Sequence, residues 1–159
     1  MAQADDNAPA ETQAQIEKDV WEPMFAASDV FDADGFLGVL SADMIRVSAD
    51  RNEVYGAARY RAEIRDGFER AKARGLTRKS GYRFLTRASS GDLAYETGYF
   101  RSDALLASGE RRIRYSRFEM LLRKEAGIWK ILVDKDTADG GAITEAQYQA
   151  ASGPVTSAR

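Results

Sequence analysis

The most regular alternation of apolar and polar positions lies near the end of the chain, in residues 111–137. Two segments with a period of two, which is typical of β-strands, flank residues 125–127 and predict a long antiparallel hairpin. Both faces of this hairpin carry apolar side chains, so we expect both faces to be covered. One face also carries Arg117, Glu119 and Asp134, which favours a cleft lined by charged groups on that side.

Helical spacing of apolar positions dominates the first half of the chain. It predicts a helix over residues 11–27, in which Pro23 is expected to cause a kink or a restart. A short helix is expected over residues 35–40, with Asp34 as its N-cap, and a long helix over residues 57–74.

Between and after these helices the period changes to two, with turn residues between the segments. Besides the hairpin, strands are predicted over residues 43–48, 53–55, 76–88 and 93–104. Helices followed by an antiparallel meander indicate an α+β domain. We expect a mobile segment at residues 1–12, the domain at 13–137 and a partly ordered tail at 138–159.

The composition fits one globular domain and removes several kinds of chemistry. The chain has 159 residues and a formal net charge of −2, so no overall field attracts nucleic acid or an anionic membrane. It has no cysteine and no histidine, which excludes disulfides, thiol chemistry and histidine-based acid–base catalysis. We expect no cofactor, no nucleic-acid partner and no membrane partner.

The N-terminal segment fits either a natural start or the end left by cleavage of a precursor. We therefore expect a cytoplasmic protein, or a periplasmic or secreted one if the N-terminus is processed. Residues 134–145 have the length of a calcium loop, but Ala138 and Asp139 stand where such a loop needs Asp or Asn and then Gly. No metal site is therefore predicted.

The charged face of the hairpin is the candidate site. If the strands pair, Arg117, Glu119 and Asp134 converge near Tyr99 and Tyr115. Two carboxylates beside an arginine and tyrosines can hold or protonate a small polar ligand. A salt-bridge network without any further role fits the same residues.

Several short features together resemble the SnoaL-like and ketosteroid-isomerase-like branch of the nuclear transport factor 2 superfamily. They are the short kinked first helix, the sequence DGFL at residues 34–37, Gly56 before a long helix, and GIWKI at residues 127–131. The resemblance covers residues 16–137. It implies a cone-shaped roll, in which three N-terminal helices pack on a strongly curved, mainly antiparallel sheet of cystatin-like topology.

The resemblance also implies which side chains face the inside of the cone and which face a second subunit. The side chains expected inside are Tyr95, Thr97, Tyr99, Arg117, Glu119, Leu132 and Asp134. Those expected at a homodimer face are Phe118, Met120, Leu122, Trp129, Ile131 and Val133. The candidate catalytic residues are accordingly Glu119 and Asp134. The candidate ligand-binding residues are Tyr95, Thr97, Tyr99, Tyr115, Arg117 and Leu132.

The isomerase chemistry of that family does not carry over well. Its catalytic tyrosine falls at Met24, its general base at Val47 or Ser48, and its proton-sharing acid at Glu119. One of the three groups is therefore present. The polyketide cyclases of the family commonly use a histidine, which this chain lacks.

Three functions fit these observations. The leading one is a dimeric domain that binds a small, partly apolar molecule inside the cone. The second is an isomerase, dehydratase or cyclase that uses Glu119 or Asp134 as acid or base, with Arg117 or Tyr99 stabilising negative charge. The third is a protein-interaction module with a vestigial pocket, so the sequence leaves open whether the protein is an enzyme.

Overall fold

The computed structural model describes residues 7–154. It opens with α1 (Ala10–Ile16), a π-helical turn (Glu17–Trp21) and α2 (Glu22–Asp29). Pro23 lies in the first turn of α2, where a missing backbone N–H is tolerated, so the α-helix restarts at this point as predicted. The first helix begins at Ala10, within the segment 1–12 for which mobility was expected.

The second helix begins earlier than predicted. It is α3 (Ala33–Leu37), and its N-cap is Asp32, whose side chain accepts a hydrogen bond from the Gly35 N–H at 3.1 Å. The prediction of Asp34 as N-cap is therefore wrong, because that residue already lies in the first helical turn. No helix in the described part of the chain is long and apolar enough to cross a membrane.

The long helix and all the predicted strands are present. The helix is α4 (Ala57–Ala73), and it ends before Gly75, which has a positive φ of 63°. The strands are β1 (Leu40–Ser48), β2 (Glu53–Gly56), β3 (Thr77–Ser90), β4 (Leu93–Leu105), β5 (Arg111–Glu125) and β6 (Ile128–Thr137).

The six strands form one curved sheet in the order β2-β1-β6-β5-β4-β3. Neighbouring strands are antiparallel except β1 and β6, which run parallel. The helices pack on one face of the sheet, which we call the inner face. The result is the cone-shaped α+β roll that the sequence predicts.

The core lies between the inner face and the helices of the same chain. Five of the six residues predicted for a dimer face are at most 1% exposed in this core: Phe118, Met120, Leu122, Trp129 and Ile131. The prediction that they form an outer face is therefore wrong. The helices cover them, since the ring of Trp21 lies 5.0 Å from the ring of Phe118. On β5 the two sets of alternating side chains are separated as predicted, but inside and outside are exchanged.

Aromatic rings fill the middle of the cone. Trp21 stacks on Tyr82 with 5.6 Å between ring centroids, and Phe100 stacks on Phe118 at 4.3 Å. Such pairs combine a large buried apolar area with a preferred ring geometry. This part of the cone is packed, so room for a ligand lies beyond it, toward the open end.

A buried ionic network joins the first helix to the sheet. The guanidinium of Arg87 lies 2.5 Å from Glu17 and 2.7 Å from Glu96, and all three residues are nearly inaccessible to solvent. Trp21 Nε1 donates a further hydrogen bond to Glu96 at 2.6 Å. We call Glu17, Arg87 and Glu96 the ionic triad.

The C-terminal segment packs on the outer face of the sheet. It forms α5 (Glu145–Ala150), which starts with a capping box between Thr144 and Gln147. The buried side chain of Tyr148 places its ring 5.8 Å from that of Tyr115.

Both ends of the described chain cover the free edge of β3. The backbone of Ser152 exchanges hydrogen bonds of 2.8 and 2.9 Å with Phe84, and the Ala8 N–H donates to the Arg87 carbonyl at 2.6 Å. Of the tail at 138–159, residues 155–159 lie outside the described part of the chain. Covered edges protect a sheet from pairing with other chains.

Candidate functional site

A cavity lies between α4, the end of α2 and the inner face of the sheet. It consists of an inner chamber of about 350 Å³, bordered by Tyr60 and Asp134, and an outer chamber of about 650 Å³, bordered by Leu76 and Leu106. Small-molecule sites typically measure about 300–1,000 Å³. The two chambers adjoin, because both are lined by Ile64, Phe68, Arg78, Ser102 and Arg114.

A β-bulge turns Asp134 toward the inner chamber. Strand β6 carries one extra residue, Leu132, between the residues that pair with Leu122 and Leu121 of β5. The bulge shifts the alternation, so Asp134 pairs with Met120 and shares the inner face with it. Without the bulge, Val133 would face inward.

Asp134 is the centre of a polar network on the wall of the inner chamber. Its carboxylate lies 2.5 Å from Arg46 and accepts a hydrogen bond of 2.9 Å from the Tyr60 hydroxyl. The second terminal nitrogen of Arg46 lies 2.6 Å from Asp136. Arg46 reaches both carboxylates because it is in parallel register with Asp134 on the neighbouring strand. Two carboxylates therefore share one guanidinium at the cavity wall.

The environment of this network shifts the pKa values of its members. Burial raises the pKa of Asp134, and repulsion from Asp136 adds to this, while Arg46 and the Tyr60 hydroxyl oppose it. Burial also raises the pKa of Tyr60, and the nearby Asp134 charge raises it further. Burial alone would lower the pKa of Arg46, but Asp134 reverses this, so Arg46 remains charged. A carboxyl with a raised pKa beside a hydroxyl donor is suited to proton transfer.

The outer chamber combines apolar walls with arginine side chains. Five arginines and one carboxylate, that of Glu63, belong to its lining. The guanidinium of Arg78 lies over the rings of Phe31 and Phe68, at 4.7 and 5.5 Å from their centroids, and donates to the Ser28 carbonyl at 2.7 Å. Burial lowers the pKa of Arg78. Positive charge therefore lies beside aromatic surface near the mouth of the cavity.

The predicted convergence of Arg117, Glu119 and Asp134 is wrong. Glu119 lies on the outer face, where it pairs with Lys135 at 2.9 Å, and Arg117 pairs with Asp139 at 3.3 Å. Glu119 is also too accessible and too well paired for a buried acid, and its hydrogen bond from Lys135 lowers its pKa.

Most of the predicted ligand-binding residues also lie outside the cavity. Tyr95, Thr97 and Tyr99 share the outer face with Leu121, Glu119 and Arg117, their partners on β5. Leu132 is the extra residue of the bulge. Of the candidates, Asp134 belongs to the lining of the inner chamber. Tyr115 borders this chamber too, but its ring lies on the outer face of the sheet, against Tyr148. Their roles in binding or catalysis remain predictions.

The sequence reading missed Arg46, Tyr60, Arg78 and Arg114. Arg46 does carry a signal, because it alternates with Met44 and Ser48, which are both buried. Tyr60 falls at an apolar position of the long helix, where its buried ring gives no sign of a polar role. Only the fold brings its hydroxyl to Asp134, 74 residues away in the sequence.

The positions equivalent to the isomerase groups do not form a catalytic site here. Met24 lines the inner chamber, but its thioether cannot replace a tyrosine hydroxyl. Asp50, near the position of the general base, bonds instead to Thr137 and to the Ala138 N–H, at 2.7 and 2.8 Å. Within residues 7–154, no group of three or more carboxylates is arranged to hold a metal ion.

Comparison with known proteins identifies the fold of the chain. Neither the known family profiles nor the curated proteins contain a match to the sequence. Among solved structures, a ketosteroid isomerase-like protein from Erwinia carotovora atroseptica is 17% identical, with a TM-score of 0.60 over 79% of this chain and 95% of that one. An NTF2-like protein of unknown function from Pseudomonas putida is 14% identical, with a TM-score of 0.62 over 94% and 99%.

A third similar structure, from Nostoc punctiforme, is described as having a cystatin-like fold. It is 16% identical and has a TM-score of 0.58, covering 82% of this chain and 92% of that one. At these identities the likeness concerns the fold alone. The chain has the fold shared by the NTF2-like, ketosteroid isomerase-like and cystatin-like proteins, which confirms the predicted resemblance at that level.

Proposed function

We propose that the protein binds a small, partly apolar molecule in the two chambers of its cone. The observation that carries this proposal is the open space beside Asp134, which the aromatic cluster around Trp21 leaves unfilled. Apolar side chains with a few convergent polar groups are what small-molecule sites usually present.

The lining supports a ligand of mixed character. Met24, Phe36 and Ile64 provide apolar surface in the inner chamber, while Tyr60 and Asp134 provide polar atoms at one wall. A ligand with an apolar body and one hydrogen-bonding group would match both.

The proposal can be tested with N-phenyl-1-naphthylamine, an uncharged dye whose fluorescence rises in apolar cavities. We expect saturable binding to the wild-type protein. The variant Ser102→Trp should reduce the affinity at least about tenfold, because this side chain lines both chambers and a large ring there would fill them. Fluorescence titration gives the dissociation constants.

Thr97→Trp is the matched control, since Thr97 lies on the same strand but on the outer face. It should leave dye binding unchanged. Absence of saturable binding, or equal losses in both variants, would contradict the proposal and favour an interaction module. Circular dichroism and thermal unfolding of both variants separate loss of the cavity from loss of the fold.

Acid–base catalysis is the second candidate, and one observation favours it. Asp134 has a raised pKa, faces the inner chamber and accepts a hydrogen bond from Tyr60. Such a carboxyl could move a proton on a bound molecule, as in isomerases, dehydratases or cyclases. Glu119, the other acid considered from the sequence, is on the wrong face of the sheet for this role.

A further inference from the structure

The distribution of charge around the cavity contrasts with that of the whole chain. The chain carries a formal net charge of −2, yet the outer chamber is lined by Arg70, Arg74, Arg78, Arg112 and Arg114, with Glu63 as its one carboxylate. Two of these six charges are neutralised locally. Arg112 pairs with Glu110 at 2.8 Å, and Glu63 pairs with Arg59 at 3.0 Å.

The remaining four arginines differ from these two residues. Within residues 7–154, neither Arg70, Arg74, Arg78 nor Arg114 forms an ion pair. Arg78 is half-buried, whereas Arg70, Arg74 and Arg114 are exposed. A half-buried charge is normally paired, because its removal from water is costly. The unpaired Arg78 at the mouth of a cavity is therefore better explained by a ligand than by stability.

Arg78 is the most constrained of the four. It is held by hydrogen bonds of 2.7 and 2.8 Å to the carbonyl and hydroxyl of Ser28, and by the rings of Phe31 and Phe68. Its Nε is buried and has no hydrogen-bond partner in the described part of the protein. The carboxylate of Asp29 attracts the guanidinium, but it accepts a hydrogen bond from the Ser80 N–H at 2.8 Å.

The register of the sheet brings further donors to the same point. Arg78 pairs with Ala104 and Ser80 pairs with Ser102, while Ser102 pairs with Arg114 on its other side. Paired residues share a face and lie side by side, so the Ser80 and Ser102 hydroxyls lie between the two arginines. This junction belongs to both chambers, since Arg78, Ser102 and Arg114 line each of them.

We propose that the ligand of this cavity is an organic anion, in which one carboxylate or sulfonate is joined to an apolar body. The oxyanion lies at the junction, held by Arg78 and Arg114, and the apolar body lies against Phe31 and Phe68. This inference rests on the proposed function. It goes beyond it in naming the chemical class of the ligand and the residues that select it.

The two charged regions of the cavity also orient such a ligand. Guanidinium groups bind planar oxyanions through paired hydrogen bonds, and they do so more strongly where water is excluded. Asp134 and Asp136, at the far wall of the inner chamber, would repel the same oxyanion. The anionic group is therefore kept near the mouth, and the opposite end of the ligand points toward Asp134.

A matched pair of dyes tests this inference. 8-Anilino-1-naphthalenesulfonate has the skeleton of N-phenyl-1-naphthylamine with an added sulfonate. We expect the wild-type protein to bind the sulfonate at least about tenfold more tightly than the uncharged dye. Arg114→Gln and Arg78→Gln should each remove most of this preference and leave the affinity for the uncharged dye within about twofold.

Arg61→Gln is the control for charge alone, because Arg61 lies on α4 but does not belong to the lining of either chamber. It should preserve the preference. Arg114 is exposed, so its variant tests the inference even if Arg78→Gln disturbs the packing between Phe31 and Phe68.

Displacement of the bound sulfonate dye tests whether the cavity also prefers a carboxylate, the other oxyanion that we propose. 2-Naphthoate should displace it at lower concentration than 2-naphthamide. The inference would be wrong if the wild-type protein bound the two dyes with equal affinity and if Arg78→Gln and Arg114→Gln left both affinities unchanged. The proposed function would then still stand. If neither dye binds in the two chambers, as judged by the effect of Ser102→Trp, the inference and the proposed function are both wrong.

Discussion

Asp134 is held by groups that act on its pKa in opposite directions. Burial and Asp136 raise the pKa, whereas Arg46 and the Tyr60 hydroxyl lower it, and the net result lies above the ordinary value of 3.8. A raised pKa means that the folded state binds this proton more tightly than the unfolded state does. The stabilisation from this group is therefore complete below pH 3.8 and is lost as the pH rises through the folded-state pKa.

Two substitutions should move the pKa of Asp134 in opposite directions. Asp136→Asn should lower it, because a repelling charge is removed, and Tyr60→Phe should raise it, because the carboxylate loses a hydrogen bond. The measurement is a ¹³C carboxyl titration by nuclear magnetic resonance. Asp43→Asn, on the surface near Arg123, should change nothing. Shifts of the same sign in the first two variants would contradict the assigned network.

Residue-level positions could be predicted from the sequence only in part. Strict alternation from Trp129 and Ile131 puts Val133 on their face and Asp134 on the other. The extra residue Leu132 reverses both assignments, and no local sequence pattern predicts a bulge at this position. The prediction that Asp134 faces the inside of the cone is correct, but its basis, strict alternation along β6, is not.

At the scale of elements, the first helix and the sheet depend on one another through the ionic triad. Glu17 and Trp21 come from the π-helical turn, and their partners Arg87 and Glu96 come from β3 and β4. Burial raises the pKa of Glu96, so Arg87 has to offset the cost of burying charge there. π-Helical turns inside α-helices often mark positions with a special role, and here the role is this attachment.

Removal of the cation of the triad should be strongly destabilising. Arg87→Met removes the positive charge that two buried carboxylates share, and breaking a buried pair in this way costs about 3–5 kcal/mol. Urea unfolding at neutral pH measures the loss. The triple variant with Glu17→Gln and Glu96→Gln should recover most of it, whereas Lys79→Gln, an exposed change on the same strand, should have almost no effect. A loss below about 1 kcal/mol for Arg87→Met would contradict this account.

Element boundaries and types followed well from periodicity, but the direction of each face did not. The helix Ala57–Ala73 and the hairpin of Arg111–Glu125 and Ile128–Thr137 lie within a residue or two of their predicted limits. Alternation divides a strand into two sets without saying which set meets the helices. On β5, the set with Phe118, Met120 and Leu122 has no acidic residue, whereas the other set contains Glu119. This difference is the signal that would have identified the core.

At the scale of the whole molecule, the outer face of the sheet is only partly covered. The tail covers the region around Tyr115, but Ile45, Val54 and Tyr95 remain 39%, 70% and 42% exposed. Val133 and Leu121 lie between them on neighbouring strands. Apolar surface that extends across several strands is typical of an interaction site. We propose that two copies of the chain associate through this face, which replaces the set first predicted.

A charged side chain on this face should weaken the association. Ile45→Lys places a charge beside Val133, and we expect at least about a tenfold increase in the dimer dissociation constant. Sedimentation velocity over a range of concentrations measures it. Val30→Lys is the control, since Val30 is 68% exposed and follows α2, away from the sheet. A wild-type protein that stays monomeric throughout the range would rule the interface out.

The two ends of the described chain meet the same strand, β3, three residues apart, at Phe84 and Arg87. The mouth of the cavity lies at the beginning of that strand, near Arg78, and six residues of extended chain separate it from Phe84 by roughly 20 Å. Ala8 and Ser152 therefore cover β3 at a distance from the opening of the cone. A ligand can enter and leave the cavity without breaking either of these backbone pairings.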